Sequence, residues 1–282
     1  MKELELLNDP GFRNGFWVLG RTHEDGLLGA ICWGEKREEP AWHIAQWECG
    51  YNIMDGKIKG QECLETPSQR VALTVDESGQ KALELTLRAS REYRQPRIEG
   101  QAWPHLLIEQ DGLAARCPRL NQVKHLYFES EVRIVKCRCA MQQTDRRLHA
   151  AQANLFFTIG RPGTDDMYWF GVPYYDSRAK RTETYMAEDG GKADASHKFI
   201  YIMPQRALTD HTYHSGEWIR YERDLYPDIL EGLKTAGQQG WLSGADPSDY
   251  TITSMNFGWE MPGTYDGTLL IRHLSLKALW EP

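Results

Sequence analysis

The sequence predicts an all-β fold, an antiparallel β-sandwich carrying one short helix near residues 227–239. Three observations predict it. Apolar residues alternate with a period of two along most of the chain, the alternating runs are separated by segments holding Gly, Pro, Asp or Asn, and only one stretch has helical periodicity. In residues 82–89, Leu83, Leu85 and Leu87 share one face, and in 127–136, Phe128, Val132 and Ile134 oppose Glu129, Glu131 and Arg133. Such strands have one dry face and one wet face, the pattern of a sheet packed on another. Further strands are expected at 42–49, 103–110, 152–159, 168–175, 199–203, 218–223, 251–260 and 268–278.

The helix rests on Pro227, which suits a first turn, on Asp224 just upstream, and on a stripe of Ile229, Leu230, Leu233 and Ala236 that Gly240 would end. A doubly wound α/β fold needs a helix between successive strands, and this chain supplies too few. No internal repeat points to a propeller or solenoid. Without a break in composition, residues 1–282 read as one domain, with loops at 189–195 and 242–248.

With 33 Lys+Arg against 40 Asp+Glu, the net charge is -7, which argues against a nucleic-acid partner, since duplex affinity rests on a basic surface. No apolar run is long enough for a membrane span, so no membrane partner is expected. The first residues show no basic segment followed by an apolar run, which reads as a soluble, cytoplasmic protein, or a secreted one if a leader has been removed. The six cysteines then read as free thiols rather than a disulfide framework. Cys137 and Cys139, two apart on one strand, find no further ligands for a metal site.

Two segments carry a resemblance. Residues 6–20 (LLNDPGFRNGFWVLG) look like the first strand of many carbohydrate-binding sandwich modules, and residues 253–276 (TSMNFGWEMPGTYDGTLLIRHLSL) resemble the last two strands of concanavalin A-like lectins and glucanases. The resemblance implies a jelly-roll topology, a glycan as substrate or ligand, and a catalytic role for Glu260, which precedes Pro262 and Gly263 as the catalytic Glu of jelly-roll glucanases precedes a Pro and a Gly. It also implies no required cofactor, with a structural calcium held by loop carboxylates such as Asp266 or Asp176.

Hydrolysis of a glycosidic bond needs two carboxyl groups on one concave face. By alternation, Trp103, His105, Leu107 and Glu109 share a face, and so do Asn256, Gly258 and Glu260. Glu109 is therefore expected to pair with Glu260, with Trp103 as a stacking platform and Asn256 as a hydroxyl partner. Glu48, on a face with Trp42, Ile44 and Gln46, is a reserve partner. Sugars offer apolar C–H faces to aromatic rings and hydroxyls to short polar side chains. Residues 168–176 (YWFGVPYYD) carry a ring at most positions, so Tyr168, Tyr174 and Tyr175, with Trp259 and the polar Gln152 and Asn154, are expected in the cleft. Trp17, Trp33, Trp218 and Trp280 are expected in the core.

The run Arg88, Arg91, Arg94 and Arg97 stands out in an acidic chain. A guanidinium matches a carboxylate in bidentate fashion, so Arg94 is a candidate for an acidic sugar. With His149, Gln152 and the Tyr-rich strand, this segment is similar to sandwich-type alginate lyases, which makes a lyase on a uronate glycan a lesser reading. Asp210, His211 and His214 could offer metal ligands, but a short polar loop is more simply solvated. The main reading is a glycoside hydrolase, and the alternative is a non-catalytic glycan-binding protein.

Overall fold

The computed structural model describes residues 2–22, 24–32, 38–58, 62–76, 78–192 and 195–281. Its strands are, in order, β1 Lys2–Glu5, β2 Phe16–Leu19, β3 Leu27–Ile31, β4 Trp42–Ala45, β5 Lys57–Ile58, β6 Cys63–Glu65, β7 Gln69–Val75, β8 Lys81–Arg88 and β9 His105–Gln110. There follow β10 Val123–Cys139, β11 Gln152–Gly160, β12 Met167–Asp176, β13 Tyr185–Glu188, β14 Phe199–Ile202, β15 Ile219–Asp224, the helix α1 Tyr226–Gln238, β16 Thr251–Glu260 and β17 Tyr265–Trp280. They form two sheets: β15-β10-β17-β8-β7-β6-β5 with β1 added on β17, and β13-β14-β12-β11-β16-β9-β4-β2-β3. The fold is an all-β jelly-roll sandwich. Two neighbours depart from the antiparallel expectation, since β12 and β14 are parallel and so are β2 and β4.

The core lies between the sheets. Leu83, Leu85 and Leu87 of β8 and Phe128, Val132 and Ile134 of β10 are buried there, as their alternation requires. The inner face of the second sheet supplies Leu155, Phe157, Phe170, Val172 and Phe257. Two large side chains in this core have their polar tips satisfied: Tyr174 OH lies 2.6 Å from Ser130 Oγ, and Trp259 Nε1 donates to Leu85 O at 3.1 Å.

The large buried tryptophans are Trp42 and Trp259. Trp17, Trp218 and Trp280, expected in the core, are only half-buried, and Trp33 lies outside the described residues. Trp218 shows why: the Arg272 guanidinium lies 4.1 Å from its ring centre, so cation–π contact on the outer sheet face replaces burial. All six cysteines are free, and burial pushes the Cys137 thiol up to about 12.

The helix begins one residue before Pro227, with the Asp224 carboxylate accepting from Tyr226 N at 3.1 Å, and buries Ile229, Leu233 and Ala236. It packs against β10 of one sheet and β12 and β14 of the other. Gly232 permits this, because a Cβ there would stand 2.8 Å from Tyr168 OH. Among the described residues no helix is long and apolar enough to cross a membrane.

Candidate functional site

The outer face of the second sheet forms a cleft of about 760 Å³. Its floor consists of cross-strand rows. In one row His105 of β9 faces Glu260 of β16, which faces Gln152 of β11, which faces Asp176 of β12. In another, Glu109 faces Asn256, then Phe156, then Gly171. Between them runs Leu107, Gly258 and Asn154. Gly258 leaves that middle row low, because a Cβ there would collide with the Leu106 carbonyl. Gly171 likewise keeps the floor flat beside Phe156, whose ring atom would stand 2.8 Å from an added Cβ.

Glu260 is held by two donors from the strand edge: Trp103 Nε1 and His105 Nε2 each lie 3.4 Å from Oε2. Burial raises its pKa, but the hydrogen bond and charge of His105, the charge of Lys192 and the Trp103 donor outweigh it, and the carboxyl sits below its ordinary value. Glu109 has the opposite environment. Burial, reinforced by the Asp111 charge and only partly offset by a hydrogen bond with Trp47, pushes it up to about 7. One cleft thus holds an ionised carboxylate and a carboxyl that keeps its proton near neutrality.

Gln152 Nε2 donates to Asp176 Oδ2 at 3.1 Å, and Arg178 grips the same carboxylate with Nε at 2.9 Å and Nη2 at 2.6 Å. Among the described residues the side-chain amides of Asn154 and Asn256 make no hydrogen bond to the protein, though Asn154 is buried. Amides left free on a cleft wall suit a polar ligand.

The structure brings Trp103, His105, Glu109, Gln152, Asn154, Asn256 and Glu260 into this one cleft. Several expected residues are elsewhere. Tyr168, Tyr174 and Trp259 occupy the opposite, inner faces of β12 and β16 and are buried. Tyr168 donates to Ile229 O at 2.6 Å, and Tyr174 stacks on Phe257 with ring centres 4.6 Å apart. Tyr175 follows an irregularity in the β11–β12 pairing and packs against Trp259 and His214. Arg94 is exposed and outside the cleft, where the buried Arg97 is found instead. Glu48 is exposed at φ 57, because β4 ends at Ala45 and the alternation does not reach it.

Trp103 is in place but not as a free platform. Arg97 and Lys192 each stand 5.0 Å from its ring centre, and its N–H is given to Glu260. The aromatic floor missed from sequence is Trp169 with Phe156, in edge contact at 6.2 Å. Trp47 and Tyr185 also line the cleft. A signal was available: the Trp169 face of β12 carries Gly171 and Pro173, whereas Tyr168, Phe170, Val172 and Tyr174 form the unbroken apolar set of a core face.

The carboxylates expected to hold calcium do not fit a cation. Asp176 is already neutralised by Arg178, and Asp266 accepts from Ser90 N and Oγ at 3.1 and 2.9 Å. Among the described residues no group of three or more His, Cys, Asp or Glu could hold a metal ion.

No protein-family model matches the chain, and no curated protein matches it in sequence. Solved structures are similar to it at low identity. A thermo-stable cellulase derived from that of Rhodothermus marinus is 12% identical with a TM-score of 0.41, the match covering 84% of this chain and 100% of that one. A family 12 xyloglucanase from Bacillus licheniformis is 12% identical with a TM-score of 0.41, covering 79% and 100%. The family 11 xylanase from Neocallimastix patriciarum is 9% identical with a TM-score of 0.40, covering 78% and 97%.

Proposed function

We propose that the protein is a glycoside hydrolase that binds its glycan along this cleft, with Glu260 as general base and Glu109 as general acid. One observation carries the reading: two carboxyl groups with oppositely displaced proton affinities flank the low floor at Gly258. Glu109 and Glu260 are four residues apart in register, which sets their Cα atoms about 14 Å apart. A retaining enzyme holds its carboxyl groups at about 5 to 5.5 Å, an inverting one at about 6.5 to 9.5 Å with a water between. Glutamate side chains on Cα atoms that far apart come within reach of the longer spacing rather than the shorter one, which favours inversion. Phe156 and Trp169 would stack a sugar face, and Asn154 and Asn256 would take its hydroxyls.

The second reading, a glycan-binding protein without hydrolysis, is favoured by the same Cα separation. A reducing-sugar assay on β-glucans, mannans, xylans and uronate polymers decides between them, with absorbance at about 235 nm following any lyase product of an acidic glycan. Turnover lost in both Glu260→Gln and Glu109→Gln, with binding retained, is the expected outcome. Binding without turnover in the parent protein establishes the second reading.

A further inference from the structure

Glu109 has a neighbour outside the cleft. In the antiparallel pair of β4 and β9, His43 stands directly opposite Glu109, and residues so placed point to one face with Cβ atoms about 4.5 to 5.5 Å apart. His43 follows Trp42, which is buried in the core, so by alternation it takes the outer face that Glu109 takes. The residue is half-buried and does not line the cleft. Its Nδ1 is closed off from water and makes no hydrogen bond.

Among the described residues the register sets no other base beside this carboxyl. On its own strand end the Asp111 charge bears on it, Trp47 of the connection after β4 bonds to it, and β16 presents the uncharged Asn256. On the far side of His43, β2 presents Trp17. Two deficits therefore adjoin. A Glu109 that has lost its proton is a buried anion next to a second anion, and His43 Nδ1 lacks a partner. A His43 that takes up a solvent proton removes both, since its Nδ1–H can then be given to the Glu109 carboxylate.

We propose that His43 is the proton partner of Glu109: it takes up a solvent proton as Glu109 gives up its own, and later returns it. In the hydrolysis proposed above, the Glu109 proton goes to the glycosidic oxygen as its bond to the anomeric carbon breaks, and Glu260 takes a proton from the attacking water. The cycle closes when Glu260 releases that proton to solvent and His43 passes its own to Glu109. This use in turnover rests on the hydrolase reading; the partnership of the two side chains does not.

NMR titration of the His43 ring and the Glu109 carboxyl, in isotope-labelled protein without substrate, tests the partnership. In Glu109→Gln the His43 titration should move about one unit to lower pH, because an adjacent anion has gone. In His43→Gln the Glu109 titration should move about one unit to higher pH, because coupling between two sites is reciprocal. Should His43→Gln fail to fold, the Glu109→Gln arm decides. Shifts below about 0.3 unit overturn the proposal and leave the hydrolase reading as it stands. Where a glycan is cleaved, the alkaline limb of kcat/KM in His43→Gln should rise with the Glu109 titration, a change that a merely structural role, read as a lower Tm alone, does not produce. Reciprocal shifts in a protein that cleaves no glycan of the panel support the partnership while removing hydrolysis.

Discussion

Trp103 donates its indole N–H to Glu260 while cations from two different loops stand over its ring. Its position is therefore set by the carboxylate and the cations together, and it acts through Glu260. Trp103→Phe keeps the ring and removes the donor, so the Glu260 pKa rises toward its ordinary value. The acid limb of the pH profile of kcat should move to higher pH, with kcat down about 10-fold and KM within about 2-fold, given the worth of one charge-assisted hydrogen bond. A merely structural role would lower Tm without moving the profile.

Glu109 makes stability depend on pH in a defined sense. Its folded pKa of about 7 exceeds the ordinary 4.5, so the folded state binds the proton more tightly. Stability should fall as pH rises from about 4.5 through about 7, and Glu109→Gln should cancel that loss, making the variant more stable than the parent at pH 8 by about 3 kcal/mol. Urea titrations at pH 5 and pH 8 measure it. Equal pH dependence in parent and variant would remove the assignment.

Adjacent residues on β12 should behave oppositely. Tyr168→Phe removes a buried hydrogen bond to α1 and should cost about 1 kcal/mol of stability with glycan binding unchanged. Trp169→Ala should weaken glycan binding about 10-fold, the loss of one stacking face, with Tm changed by only a few degrees. Thermal melts and binding isotherms on the two variants check the pair.

Gly258→Ala tests the floor. The added methyl meets the Leu106 carbonyl of the neighbouring strand, which cannot retreat without breaking the β9–β16 ladder. A destabilisation of about 2 kcal/mol or more is expected in chemical denaturation. An unchanged midpoint would show that the strands are not so closely apposed.

The sequence made the bounds and the wet face of β16 legible, because Asn256, Gly258 and Glu260 alternate strictly with Met255, Phe257 and Trp259, and the same alternation puts Trp259 in the core rather than in the cleft where it was expected. It made β9 legible for the same reason. On β12 both faces carry rings, so aromatic content does not separate them; only Gly171 and Pro173 beside Trp169 mark the wet set, and Tyr168 and Tyr174 face the core. Glu48 leaves the pattern for another reason: β4 ends at Ala45, and the chain turns through a left-handed residue at Glu48. The strands β5, β6 and β13 are too short for a period to be counted, and β7 buries the consecutive Val71, Ala72 and Leu73, so its pattern does not alternate. Arg97 could be seen as one of four arginines, but its carbonyl partners come from distant segments that only the folded chain assembles.

The hairpin of β16 and β17 reaches the middle of both sheets: β16 lies between β9 and β11, and β17 lies between β8 and β10 while also receiving β1. The earlier strands can pair into partial sheets, such as β7 with β8 and β11 with β12, but β9 is joined to β11 and β8 to β10 only through these two, and residues 2–5 pair with residues 277–280. Pairings of such long sequence separation place the chain among slow folders, since loop closure precedes any reward in contacts. On the ribosome, neither sheet can be completed until residues 251–280 have emerged, which leaves apolar strands such as β8 and β10 in need of protection until then.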